Sequence, residues 1–132
     1  MKFVIDDKIP YINGVLEQFG EVLYINGKNI CHNDVKDADA LIVRTRTKVN
    51  RELLEGSTIS FVATATIGFD HIDREYLKQS GIAWTSCPGC NSESVGQYIT
   101  AALIEVSEKH NIDLSQKTMG IIGVGNVGKK VK

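Results

Sequence analysis

The chain has 132 residues and a formal net charge of −1, from fifteen Lys and Arg against sixteen Asp and Glu. This length allows one domain, or one domain and part of a second, and it suffices to bury a core without disulfides or metals. The balanced charge argues against nucleic acid and anionic membrane surfaces as partners. Apolar runs reach four residues at most, which excludes a membrane-spanning helix. Asp6 and Asp7 interrupt what would be the apolar part of a signal peptide, so we expect a cytoplasmic protein whose three cysteines remain thiols.

Short apolar runs alternate with helical patterns over the first 91 residues. The runs predict strands at 3–5, 22–25, 40–43, 59–65 and 82–84. Helical patterns predict helices at 9–19, after Asn33 or Asp34, from the cap Asn50 to Gly56, and at 73–79. The runs are rich in Val and Ile and do not alternate strictly with polar residues, which is typical of strands covered on both faces. The fold class predicted from this pattern is α/β, with a parallel sheet and helices on both faces.

The pattern changes after residue 91. Residues 92–110 predict one long helix, because apolar residues recur along one face at helical spacing. Residues 118–122 predict a further strand, which leads directly into Gly123-x-Gly125-x-x-Gly128. The apolar face of the helix and the isolated strand favour self-association, and we expect a homodimer.

The glycine motif following a strand is typical of a dinucleotide-binding turn. Its first glycine permits the tight turn, its second lets the backbone approach a pyrophosphate, and its third lets the next helix pack closely. A glycine-rich turn without a ligand remains the alternative. The sequence stops four residues after the motif, before a second strand or a ribose-binding acid, so we expect a fragment.

Four stretches resemble the NAD-dependent D-2-hydroxyacid dehydrogenases: 43–49, 61–73, 88–91 and 120–128. The most specific are Thr64-Ala65-Thr66-x-Gly68-x-Asp70-His71-x-Asp73 and Pro88-Gly89-Cys90-Asn91. The resemblance implies a flavodoxin-like substrate-binding domain at 1–91, an interdomain helix and linker at 92–117, and the truncated start of a Rossmann-type NAD-binding domain at 118–132. It implies NAD as cofactor, bound through Gly123, Gly125, Asn126, Val127 and Gly128.

The resemblance also implies a reaction, the oxidation of the 2-hydroxyl of 4-phosphoerythronate in vitamin B6 (pyridoxal phosphate) synthesis. The family's catalytic Arg, Glu and His follow the glycine motif, so no catalytic residue is assigned in this chain. His32, His71 and His110 are not candidates for the catalytic histidine. We expect these 132 residues alone to be inactive and to bind NAD weakly or not at all.

Two loops follow predicted strands at the edge where sheets of this kind bind ligands. A phosphorylated hydroxy acid is anionic at both ends, which suits guanidinium groups, hydroxyls and free amides. The resemblance places substrate contacts at Thr45 and Thr66, with Arg44 and Arg46 as supporting charges. Backbone amides of the Thr66-Ile67-Gly68 segment are available for the carboxylate. In the alternative interpretation, the arginines pair with local acids and the hydroxyls belong to turns or caps.

Two further motifs allow a structural and a chemical interpretation. Asp70-His71-Ile72-Asp73 contains acid–base groups, but Asp70 or Asp73 also suits the cap of the following helix, which we favour. Cys87-Pro88-Gly89-Cys90 has the spacing of a redox pair or half a zinc site, yet a plain turn fits better, and we expect no bound metal.

Other functions remain open. The chain could belong to another D-2-hydroxyacid dehydrogenase, such as one of the phosphoglycerate type. It could instead be a non-catalytic NAD-sensing or ligand-binding regulatory module, because fold does not fix function. A phosphate-accepting receiver domain is disfavoured, because Arg44 stands where the third strand should end in an aspartate. The sequence does not distinguish NAD from NADP.

Overall fold

The computed structural model describes all residues from 1 to 132, which form two compact units, Met1–Cys87 and Pro88–Lys132. No helix in either unit combines the length and the apolar character needed to cross a membrane.

The first unit is built on one parallel sheet of five strands in the order β2-β1-β3-β4-β5. This order is that of the flavodoxin-like doubly wound fold. The strands are β1 (Lys2–Asp6), β2 (Glu21–Ile25), β3 (Ala40–Val43), β4 (Phe61–Thr64) and β5 (Ala83–Thr85). All five were predicted from apolar runs, with the fourth shorter than expected. The fold class is therefore confirmed.

Three short helices connect these strands. They are α1 (His32–Val35), α2 (Arg51–Leu54) and α3 (Arg74–Gln79). Asn50 caps α2 by accepting a hydrogen bond from the Leu53 N–H, and Asp73 caps α3 by accepting one from the Tyr76 N–H. The capping interpretation of Asp73 is confirmed.

Two apolar clusters lie on opposite faces of the sheet, since successive side chains of a strand alternate. Val4 belongs to the larger cluster together with residues of α1, α2 and α3. Phe3 and Ile5 belong to the smaller cluster, which includes Ile9 from the segment after β1. The faces of the sheet are not fully covered beyond β3, because Phe61 of β4 is 38% exposed. The expectation of strands covered on both faces therefore holds for β1 and β3 but not for β4.

The predicted helix at 9–19 is wrong. Only Glu17–Phe19 forms a short 3₁₀ helix, and the preceding residues form turns. Tyr11 and Gly14 both have positive φ, which a right-handed helix does not allow. The Tyr24 hydroxyl donates a 2.8 Å hydrogen bond to Glu17 Oε1 and lies 3.3 Å from Ile12 O, and these contacts stabilise this irregular course.

The second unit contains α4 (Ser92–His110), a 3₁₀ turn at Leu114–Gln116 and α5 (Gly128–Val131). The bounds of α4 agree with the prediction. Residues 118–122 form no strand, contrary to the prediction. A strand needs a hydrogen-bonded neighbour, and no segment of residues 1–132 pairs with this one.

Candidate functional site

Asp6 and Arg44 form a partly buried ion pair where β1 and β3 end. Arg44 Nε lies 3.0 Å from Asp6 Oδ2, and Arg44 Nη2 lies 3.2 Å from Asp6 Oδ1. The Asp6 side chain is fully buried, and it also accepts a hydrogen bond from the Lys8 N–H. Arg44 therefore pairs with a local acid, which was the alternative interpretation of this residue.

Thr47 links the loop after β3 to the loop after β2. Its buried hydroxyl donates a 2.7 Å hydrogen bond to Gly27 O. Gly27 itself lies against Asp6, because a Cβ at this position would overlap Asp6 Oδ2. The Asp6–Arg44 ion pair, the Thr47 hydroxyl and Gly27 thus pack together at the carboxyl edge of the sheet.

A cleft of about 440 Å³ lies between these two loops. Three cationic side chains line it, Lys28, Arg46 and Lys48, together with Glu52. Arg46 and Lys48 are exposed. The cleft can therefore accept an anionic group, and it is the place of the predicted site residue Arg46.

Thr45 lies in a different cleft, of about 400 Å³, that also includes Lys48, Asp70 and His71. This second cleft joins the loop after β3 to the loop after β4. The two loops are tied by hydrogen bonds from Val49 N to His71 O and from Asp73 N to Val49 O, each 2.8 Å long. Arg46 and Thr45 thus line different clefts, with Lys48 and Asn50 common to both.

Thr66 belongs to a chain of hydrogen bonds at the end of β4. Thr66 Oγ1 lies 2.7 Å from Thr64 Oγ1, which lies 3.0 Å from His71 Nε2. Thr66 also donates a 3.0 Å hydrogen bond to Gly68 O. Burial lowers the pKa of His71 below its usual value of 6.5, while the charge of Asp70 acts in the opposite direction. The lowered pKa favours the neutral form of the His71 ring.

The strand register explains why Thr45 and Thr66 are neighbours along the edge of the sheet. Val43 pairs with Thr64, and each predicted site threonine stands two residues beyond its strand's paired residue. Ile67 and Gly68 are exposed, and a Cβ on Gly68 would meet open space. The amides of this turn are thus accessible from solvent.

The glycine turn of the second unit has the features that a pyrophosphate needs. Gly123 has φ +88°, and Gly128 packs so closely that a Cβ there would overlap Gly123 O. A Cβ on Gly125 would meet open space, which leaves room for a ligand beside the backbone. Asn126 packs its side-chain amide against Gly89 of the preceding turn, and Val127 is half-buried. These residues fit NAD at this turn.

The three cysteines lie at the surface of the structure. Cys31, Cys87 and Cys90 are all exposed, and Cys31 and Cys90 are free thiols. No group of three or more His, Cys, Asp or Glu side chains is placed to hold a metal ion.

Sequence reasoning pointed to the loops after β3 and β4 but missed several of their internal contacts. It did not pair Arg44 with Asp6, and it did not connect His71 to Thr66 or include Lys28 in a cleft. The position of Asp6 directly after an apolar strand was a usable signal, since a buried carboxylate requires a cationic or hydrogen-bonding partner.

A family model described as D-isomer specific 2-hydroxyacid dehydrogenase, catalytic domain, matches residues 3–127. The chain belongs to this family. Erythronate-4-phosphate dehydrogenase of Bacteroides fragilis is 55% identical to it over 99% of the chain, and that of Bacteroides thetaiotaomicron is 58% identical over the same share. The enzyme of the same name from Escherichia coli O157:H7 is 43% identical over 100% of the chain. The chain spans 38% of the length of the two Bacteroides relatives and 35% of the third.

Solved structures of the family agree with the fold. D-lactate dehydrogenase from Aquifex aeolicus, complexed with NAD and lactic acid, matches with a TM-score of 0.74 and 25% identity, covering 99% of this chain and 46% of that one. NAD-bound 3-phosphoglycerate dehydrogenase from Entamoeba histolytica matches with a TM-score of 0.70 and 27% identity. The match covers 99% of this chain and 49% of that one. NAD is therefore a cofactor used within this family.

Proposed function

We propose that this chain is part of an NAD-dependent dehydrogenase that oxidises the 2-hydroxyl of 4-phosphoerythronate, in the synthesis of pyridoxal phosphate. One observation supports this most strongly: relatives 43–58% identical over nearly the whole chain are named erythronate-4-phosphate dehydrogenase. We call the protein with the full length of these relatives the full-length enzyme. The proposal concerns its activity, and the 132 residues alone are proposed to be inactive.

Each part of the chain has a proposed role. Residues 1–91 bind the substrate, residues 92–117 connect two domains, and residues 118–132 begin the NAD-binding domain. Thr45 and Thr66 contact the substrate, and the exposed amides of Ile67 and Gly68 bind its carboxylate. Arg46 supplies positive charge, and Arg44 acts by holding Asp6 and thereby the loop.

The reaction is a two-electron oxidation. When bound, NAD would supply the hydride acceptor for C2. The proton of the 2-hydroxyl would pass to a base, and a 2-oxo acid would result. The residues of this chain bind and orient the anionic substrate, and the glycine turn, at Gly123, Gly125, Asn126, Val127 and Gly128, holds the pyrophosphate. The catalytic acid–base groups lie outside residues 1–132 in this proposal.

The environment of the enzyme is also proposed from the chain. The near-zero net charge supports an enzyme that does not bind nucleic acid or anionic membrane surfaces, and we propose that it is cytoplasmic. The exposed apolar side chains of α4, Ile104 and Val106, support a homodimer.

A second candidate is a dehydrogenase of the phosphoglycerate type. The 3-phosphoglycerate dehydrogenase of Entamoeba histolytica favours it, since it shares the fold and acts on a phosphorylated hydroxy acid by its name. Its identity of 27% is well below that of the erythronate-4-phosphate dehydrogenases. A regulatory module that senses NAD or binds a ligand without catalysis would share the fold but lack turnover.

Site variants of the full-length enzyme test the proposal. We expect Thr45→Val and Thr66→Val each to raise the KM for 4-phosphoerythronate about tenfold, because each loses one hydrogen bond to substrate. Thr58→Val is the matched control, because Thr58 bonds to Ala38 O just before β4, at the opposite end of the strand. Unchanged KM values in both site variants would overturn the assignment of these residues.

A further inference from the structure

The direction of each hydrogen bond around Thr66 follows from counting protons. A hydroxyl has one proton to donate, and a carbonyl oxygen can only accept. Thr66 donates its proton to Gly68 O at 3.0 Å, so it must accept in its 2.7 Å contact with Thr64. Thr64 then has no proton left for its 3.0 Å contact with His71 Nε2. All three bonds therefore form together only when Nε2 of His71 carries a proton.

The opposite tautomer breaks this arrangement. If Nε2 lacked a proton, Thr64 would donate to His71 and Thr66 would have to donate to Thr64. Thr66 Oγ1 and Gly68 O would then lie 3.0 Å apart with no proton between them, so that two hydrogen-bond acceptors would face each other.

The chain of bonds also determines what Thr66 can offer to a ligand. Its proton points to Gly68 O and one lone pair receives the Thr64 proton, which leaves one lone pair free. A carboxylate or a phosphate dianion presents only acceptors, so it gains nothing from this oxygen. A hydroxyl group of a ligand presents a proton and fits it.

We infer that His71 is a positioning residue, whose Nε2–H acts through Thr64 to hold the Thr66 hydroxyl as a hydrogen-bond acceptor for a hydroxyl group of the substrate. The placement of Thr66 in the substrate site rests on the proposed function. His71 itself touches neither substrate nor cofactor in this role. The substrate class so selected is a hydroxy acid whose hydroxyl, rather than either anionic end, meets Thr66.

The tautomer of His71 is measured directly by long-range ¹H–¹⁵N correlation NMR of this chain near neutral pH. His71→Gln identifies the signal by its loss, and His32 and His110 provide the other two imidazole signals. We expect a neutral ring with the proton on Nε2, in line with the lowered pKa of His71. A proton on Nδ1 with bare Nε2 would overturn the inference.

Calorimetric binding to the full-length enzyme tests the consequence for recognition. We expect His71→Leu to weaken 4-phosphoerythronate about tenfold, the value of one hydrogen bond. His71→Gln keeps a donor N–H near the position of Nε2 and should stay within about twofold of the wild type. His110→Leu, on the exposed end of α4, is the control and should bind like the wild type.

A second ligand distinguishes a positioning role of His71 from a general disturbance of the site by the substitution. We expect 4-phosphooxybutanoate, which has both anionic ends but no hydroxyl, to bind the wild type and His71→Leu equally. Equal weakening of both ligands by His71→Leu would show a merely structural role and overturn the inference. If the wild type binds neither compound, the proposed function fails together with the role of Thr66 in recognition, while the NMR result still decides the tautomer.

Discussion

Arg44 and Asp6 stand 38 residues apart in the sequence and meet through two parallel hydrogen bonds of 3.0 and 3.2 Å. The Asp6 side chain is fully buried and the Arg44 side chain is about one-third exposed. The pair fixes the loop after β3 to the end of β1, and that loop holds Thr45 and Arg46. Arg44, predicted as a supporting charge for the substrate, thus also holds in place the loop of its neighbours.

This pairing predicts that Arg44 matters for stability far more than Arg46. Arg44→Leu leaves the Asp6 carboxylate buried without its cation, which should lower the free energy of unfolding by about 3 kcal/mol. Arg46→Leu, in an exposed neighbour, should change it by less than about 0.5 kcal/mol. Urea unfolding of both variants measures the difference, and similar losses in the two would contradict the account.

Thr47 is predicted to stabilise the junction of two loops through its hydroxyl. Thr47→Val keeps the shape but removes the donor to Gly27 O, which should cost about 1–2 kcal/mol. Thr45→Val, at an exposed threonine in the same loop, is the matched control and should cost less than about 0.5 kcal/mol. Thermal and urea unfolding give the comparison. A stability of Thr47→Val equal to that of the control would show that the bond contributes nothing.

The lowered pKa of His71 predicts that the folded chain loses stability in mildly acidic solution. Its pKa is lowered in the folded chain by burial, so the unfolded chain takes up a proton first as the pH falls. The free energy of unfolding should therefore fall once the pH drops below about 6.5, and the fall should end below the pKa of the folded state. Asp70, Lys48 and Asp73 line the same cleft, and Asp70 acts against the shift.

The measurement is urea unfolding at several pH values between about 7.5 and 5, above the range where most carboxylates titrate. His71→Gln should show a shallower decline than the wild type over this range. His110→Gln, at an exposed histidine, should follow the wild type. An unaltered decline in His71→Gln would assign the effect to other groups.

The glycine turn predicts opposite consequences for two of its glycines. Gly128→Ala would place a Cβ on Gly123 O and should distort the turn itself. Gly125→Ala meets open space, so the chain should keep its stability. In the full-length enzyme, however, Gly125→Ala should weaken NAD binding about tenfold or more, because the methyl group occupies space that the pyrophosphate needs.

Thermal unfolding and NAD titration distinguish these two effects. Loss of NAD affinity in Gly125→Ala with an unchanged unfolding temperature would support a ligand-facing role. Normal NAD affinity in that variant would argue for a turn that does not approach the cofactor.

The strands were predictable because each is a short apolar run that needs burial wherever it pairs. The structure of segment 9–19 was not predictable. Ile9, Ile12 and Leu16 have the spacing of a helix, and yet they pack on the sheet from turns. The contacts that decide between these outcomes, such as that of the Tyr24 hydroxyl with Ile12 O, are made with a residue of the next strand. The strand predicted at 118–122 does not form for a related reason, because strand propensity alone does not provide a neighbouring strand to pair with.

The candidate site was predictable at the level of loops and not of side-chain partners. The motifs identified the ends of β3 and β4, where parallel strands converge at one edge. The pairing of Arg44 with Asp6 depends on strand order, which places β1 beside β3. The contact of His71 with Thr64 depends on the course of the loop after β4. Sequence alone could therefore name Thr45 and Thr66 but not say which atoms hold them.

The substrate preference of the full-length enzyme tests the central claim most directly. Initial rates of NAD reduction would be compared for 4-phosphoerythronate, 3-phosphoglycerate and D-lactate under identical conditions. We expect kcat/KM for 4-phosphoerythronate to exceed both others by at least about a hundredfold, since one or two additional hydrogen bonds distinguish the substrates. A higher kcat/KM for 3-phosphoglycerate, or no turnover of any of the three, would contradict the proposed function.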